Sequence, residues 1–242
     1  CNNIKTPFYL YSENLIRKNI QDYIASANDN TLFCYSVKAN SNLSILKIIA
    51  SEGMGFDVVS KGELYRALKA GADTKKIVYS GVGKTRDEIR YALANSILCF
   101  NVESKSELAA INDEAALMNT SASISIRVNP NVSVETHPYI STGMKENKFG
   151  ISFDDALDVY KKANNLSNID VIGIDFHIGS QITSIEPYID SINSIKKLIN
   201  SLKKENINIS HIDVGGGLGI DYEKKNVLSK SEYTKSILDS LS

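Results

Sequence analysis

Short β-rich apolar runs recur along the chain, separated by segments whose apolar positions return every three or four residues. The runs at 32–39, 55–60, 77–81, 97–103, 122–129, 171–178 and 211–215 read as strands. The segments between them read as helices, most clearly through Tyr188, Ile192, Ile195, Ile199 and Leu202. Gly53 and Gly71 stand where helices would end in a glycine cap, and a last helix from about Ser231 carries Tyr233, Ile237 and Leu241. Regular strand–helix alternation predicts a parallel α/β fold. The apolar run at 8–12 precedes the alternation and reads as a strand that belongs elsewhere.

Within the strands, one face is polar or small and the other apolar. Cys34, Ser36 and Lys38 oppose Phe33, Tyr35 and Val37; Ser123, Ser125, Arg127 and Asn129 oppose Ala122, Ile124, Ile126 and Val128. Gly173, Asp175, His177 and Gly179 oppose Ile172, Ile174, Phe176 and Ile178, and His211, Asp213 and Gly215 oppose Ile212 and Val214. In a barrel these faces are the lumen and the helix-covered exterior. Barrel lumens are usually filled with branched aliphatics, so an interior holding Lys38, Arg127, Asp175, His177 and Asp213 is either a functional site or a set of polar groups that satisfy one another. Seven strand units, with a helix after the seventh, fall one short of an eight-stranded barrel. An open barrel would leave two unpaired edges, so the expectation is a chain cut from a longer reading frame, as the first residue, Cys1, also suggests.

Composition narrows the partners. The 242 residues are 43% hydrophobic with a formal charge of -1, enough for one large core, and no basic block argues for nucleic acid or an anionic membrane. Cysteines stand only at 1, 34 and 99, an odd, scattered set that fits a reducing cytoplasm. No apolar run spans a bilayer and no signal-peptide layout is present. Small neutral or zwitterionic molecules are the expected partners.

Candidate chemistry sits at strand ends. Lys38 closes the first strand, where an α/β barrel places its reactive groups; it is a Schiff-base lysine, an ion-pair partner or a solvated amine. Gly215-Gly216-Gly217-Leu218-Gly219 follows the seventh strand, and successive glycines there form either a tight turn or a nest of N–H groups for a phosphate. His177-Ile178-Gly179-Ser180-Gln181 brings an imidazole and a hydroxyl to the same rim. After the fifth strand a polar loop from Thr136 to Gly150 carries His137 and Lys148, placed to meet substrate carboxylates or a partner subunit, or else simply solvated. A rim amine, a histidine able to stack on a ring, a phosphate nest, a serine donor and a lumen arginine are together what a pyridoxal phosphate site needs.

At this level the chain resembles the barrel-type pyridoxal-phosphate-dependent decarboxylases. The resemblance rests on Tyr35-Ser36-Val37-Lys38-Ala39-Asn40, Gly55-Phe56-Asp57-Val58-Val59-Ser60, Arg127-Val128-Asn129-Pro130, His177-Ile178-Gly179-Ser180-Gln181 and Asp213-Val214-Gly215-Gly216-Gly217. The residues from His137 to Gly143, leading to Lys148-Phe149-Gly150, are similar to the diaminopimelate branch. The resemblance implies a (β/α)8 TIM-type barrel, alanine racemase-like, over residues 13–242, with residues 1–12 joining an absent C-terminal β domain. It implies Lys38 as the Schiff-base residue, His177 against the ring, Ser180 with Gly215, Gly216 and Gly217 at the phosphate, and Asp57 and Arg127 near the ring hydroxyl and the lysine. It further implies decarboxylation of meso-diaminopimelate to L-lysine in a cytoplasmic homodimer, with no metal. The family's strand-eight Glu-Pro-Gly-Arg segment, its C-terminal domain and a Cys-Glu-Ser segment from the second subunit lie outside the 242 residues. A related decarboxylase of ornithine, arginine or carboxynorspermidine, or a non-catalytic homologue that binds a partner, are the alternatives.

Overall fold

A computed structural model describes residues 5–130, 132, 149–222 and 228–242. Its strands are β1 (Cys34–Ser36), β2 (Gly55–Val58), β3 (Ile77–Tyr79), β4 (Cys99–Val102), β5 (Ala122–Asn129), β6 (Ile151–Ser152), β7 (Ile169–Asp175) and β8 (His211–Asp213). The helices are α1 (Glu13–Ile24), α2 (Leu43–Ser51), α3 (Lys61–Lys69), α4 (Arg86–Ala94), α5 (Lys105–Leu117), α6 (Phe153–Asn164), α7 (Glu186–Lys204) and α8 (Lys230–Leu241). Side-chain caps start most of them: Asn42, Ser60, Ser104 and Ser152 each accept a first-turn N–H, and Thr85 with Glu88 and Ser229 with Glu232 form capping boxes. Gly53 and Gly71 follow α2 and α3 with φ of 79° and 92°, the left-handed cap the sequence predicts.

The strands pair in parallel in the order β1-β2-β3-β4-β5-β7-β8, with β6 beside the end of β5. Two contacts show that this sheet curls. Asn101 Nδ2 lies 3.2 Å from Asp213 Oδ2, and Cys99 Sγ lies 4.0 Å from His211 Nε2. Both join β4 to β8, three strands apart in the order, which a flat sheet would hold about 14 Å apart. The polar face therefore lines a lumen. The apolar face is covered by helices, with Ile124, Ile126, Val128, Ile174 and Phe176 at 1% exposure or less.

An irregularity in the β5–β7 register keeps the lumen face continuous. Ile124 pairs with Val171 but Ser125 pairs with Gly173, so β7 carries one extra residue. Beyond it, Arg127, Asp175 and Asp213 fall in line across three strands. Gly173 pairs with His211, and a Cβ there would come within 2.2 Å of the His211 ring; the missing side chain makes room for the imidazole.

Several strands are shorter than the sequence suggests. The first ladder ends at Ser36, and Val37–Ala39 form a 3-10 turn, so Lys38 stands on a turn and not on a strand. The sixth predicted strand begins at Ile169 and stops at Asp175, and the seventh stops at Asp213, because beyond these residues the ladder gives way to Gly179 and Gly215, both at positive φ. β6, only two residues long, was not predicted. The run at 8–12 pairs with no strand among the described residues, and Tyr9 and Leu10 are 90% and 76% exposed.

Candidate active site

The C-terminal ends of the parallel strands gather the polar residues. On β1 and β2, Ser36 Oγ donates to Asp57 Oδ2 at 2.7 Å. Arg127 Nη1 on β5 donates to Oε1 of Glu103, the residue after β4, at 3.1 Å, and Arg127 Nε lies 3.9 Å from Asp175 Oδ2 on β7. The guanidinium also lies over the Phe149 ring, 5.5 Å from its centre. Lys38 is exposed and makes no hydrogen bond or ion pair among the described residues, which leaves its amine available at the rim.

His177 lies within the electrostatic reach of Arg127, Lys38 and Asp57. Burial, reinforced by the Arg127 and Lys38 charges, pulls its pKa down to about 4, so the ring is neutral at pH 7. Gly216 N–H points at Nδ1 at 3.4 Å, which assigns Nδ1 as an acceptor and the ring proton to Nε2. Asp175 and Asp213 are pushed the other way: burial raises both, and each neighbours other carboxylates. Asp213 Oδ1 accepts Gly215 N–H at 2.8 Å.

The glycine loop is shaped by close backbone packing. Gly217 has φ of 110°, and a Cβ there would sit 2.1 Å from the Gly179 carbonyl oxygen. Gly217 O accepts from Ile182 N at 2.9 Å. The exposed Ser180 is thereby held beside the loop, between Gly179 and Ile182.

The structure thus brings Lys38, Asp57, Arg127, His177 and Gly216 together and lays Ser180, Gly215 and Gly217 along the adjoining edge. His137 and Lys148 lie outside the described residues. Sequence reasoning missed Glu103, although Cys99, Asn101 and Glu103 alternate with Phe100 and Val102 and the same period-two rule would have found it. It also missed a buried pair one layer out. Lys84 Nζ donates to Glu107 at 2.6 Å and to the carbonyls of Gly81 and Asn101 at 2.7 and 2.8 Å. Glu107 accepts Glu103 N–H at 3.0 Å, fixing the end of β4 from which Glu103 reaches Arg127.

A parallel-stranded barrel domain with an exposed rim amine, a neutral imidazole and a glycine-rich loop beside them is the class of protein that this fold and site define. The family model for the pyridoxal binding domain of pyridoxal-dependent decarboxylases matches residues 13–242, and the chain belongs to that family. It is 51% identical to the diaminopimelate decarboxylase of Vibrio cholerae over 242 residues, all of this chain and 58% of that protein. It is 48% identical to the diaminopimelate decarboxylase of Pseudomonas aeruginosa, over 98% of this chain and 57% of that one. The crystal structure of the Helicobacter pylori diaminopimelate decarboxylase complexed with L-lysine superimposes with a TM-score of 0.95 at 44% identity, covering 99% of this chain and 61% of that one. The chain therefore spans somewhat more than half the length of the relatives it matches.

The residues present fit pyridoxal phosphate on their own chemistry. Besides the amine, the imidazole and the glycine loop, Asp57 Oδ1, Glu103 Oε2 and Ser125 Oγ are buried without a partner among the described residues, and buried polar atoms are normally satisfied. No helix among the described residues is long and apolar enough to cross a membrane.

Proposed function

We propose that the polypeptide carrying this domain decarboxylates meso-2,6-diaminopimelate to L-lysine and carbon dioxide with pyridoxal 5'-phosphate, the last step of lysine biosynthesis. The observation that carries the reading is the meeting of Lys38, His177 and the glycine loop at one rim, in a chain 51% identical to a diaminopimelate decarboxylase. When bound, the cofactor supplies an electron sink for the pair released as a bond at Cα breaks.

The chain's own residues do the rest. Lys38 would hold the cofactor covalently through its side-chain amine. His177, uncharged, packs on the ring face without adding positive charge to it. Asp57 and Arg127 lie near the ring hydroxyl and Lys38; Glu103 and Asp175 hold the guanidinium in place. Ser180 with Gly215, Gly216 and Gly217 seats the phosphate, and His137 and Lys148 contact substrate carboxylates or the neighbouring subunit of a cytoplasmic homodimer. The exposed run at 8–12 pairs with a β domain outside the 242 residues.

Assay of the complete polypeptide on meso-diaminopimelate, ornithine and arginine tests the reading. The expected result is a kcat/KM for diaminopimelate at least about 100-fold above the others, well within the discrimination a site gains when buried polar groups would otherwise go unpaired. Faster turnover of ornithine or arginine would assign the substrate to another branch, and no turnover of any would favour a binding role.

A further inference from the structure

The glycine loop is held from beneath by a hydroxyl. Tyr188, in the first turn of α7, is fully buried and packs edge-on against Tyr233 of α8 with ring centres 5.0 Å apart. Its hydroxyl donates to the Gly216 carbonyl at 3.1 Å. Burial pushes the tyrosine pKa up, so the group keeps its proton.

The consequence falls on the next N–H. The Gly216–Gly217 peptide is trans, since Thr6–Pro7 is the cis bond among the described residues, and in a trans peptide the carbonyl and the following N–H point to opposite sides. Pinning the Gly216 carbonyl toward α7 therefore turns the Gly217 N–H away from the helix. Gly215 N–H is already taken by Asp213, and Gly216 N–H reaches toward His177. Gly217 N–H has no acceptor among the described residues. Of the N–H groups of Gly215, Gly216 and Gly217, it is the one left for a ligand.

We propose that Tyr188 is a positioning residue for the phosphate seat: its hydroxyl fixes the Gly216–Gly217 peptide so that the Gly217 N–H is presented to a phosphate monoester. This rests on the reading of the loop as the seat of the cofactor phosphate. It assigns a specific task to a fully buried helix residue.

The test compares the complete wild-type polypeptide with Tyr188→Phe, which removes one oxygen and keeps the ring. Three probes are titrated: pyridoxal phosphate and pyridoxal by absorbance, and inorganic phosphate by its effect on thermal unfolding. The variant is expected to bind pyridoxal phosphate about fivefold more weakly, as loss of one neutral hydrogen bond implies, and inorganic phosphate more weakly by a similar factor. Pyridoxal, which lacks the phosphate, is expected to bind both proteins equally. Unchanged affinity for both phosphate-bearing probes would overturn the proposal. So would equal weakening of pyridoxal and pyridoxal phosphate, since that marks a general structural loss. If the wild type gives no spectral band with pyridoxal phosphate, the cofactor reading fails separately, and the inorganic phosphate comparison alone decides whether Tyr188 organises the loop.

Discussion

His177 is where the character of the site is set residue by residue. Its folded pKa of about 4 lies below the ordinary 6.5, so between these values the unfolded chain binds a proton that the folded chain refuses. Stability without cofactor contributed by this neutral ring is complete above pH 6.5 and is lost as pH falls toward 4. Asp175 and Asp213, raised by burial, act with the opposite sign, favouring the fold as they take up protons. A difference measurement separates the two: the thermal midpoint of wild type minus that of His177→Gln is expected to fall as pH is lowered from 7 to 5. A flat difference would mean that the ring is charged or exposed. The placement of Lys38 and His177 at the strand ends was legible in the sequence through strand-end position and alternation, although Lys38 owes its place to a 3-10 turn. Lys84 and Glu107 were not legible, because a lysine in a loop and a glutamate in a first turn reveal burial only once α5 and the β3–α4 loop meet.

At the scale of elements, register decides what faces what. The extra residue in β7 and the absent side chain at Gly173 let His211 turn into the lumen toward Cys99. Gly173→Ala should then overpack this point and destabilise the domain by about 1–3 kcal/mol. The double change Gly173→Ala with His211→Ala should cost less than the sum of the single changes, because the second removes the ring that the first strikes. Denaturant unfolding of the four proteins checks this, and additive losses would show that the ring and the glycine do not share that space. The main strands were legible because two-residue alternation survives in short segments. Their ends were not, since a strand stops where its neighbour stops pairing, and β6 is too short to carry any period.

For the whole molecule, the order of strand and helix announced a parallel barrel, and the polar alternation marked its interior as either a site or a set of polar groups that satisfy one another. The contacts from β4 to β8 show the curl that the alternation could only imply. Family membership agrees with both, and residues 13–242 fall within one pyridoxal-binding domain. The central claim is that this rim takes an aldehyde cofactor on Lys38. It is tested most directly by incubating the complete polypeptide with pyridoxal phosphate, reducing with sodium borohydride and mapping the label by mass spectrometry. The account predicts one pyridoxyl group, on Lys38, and none in Lys38→Ala; a label on a different lysine, or no label on the wild type, would contradict it.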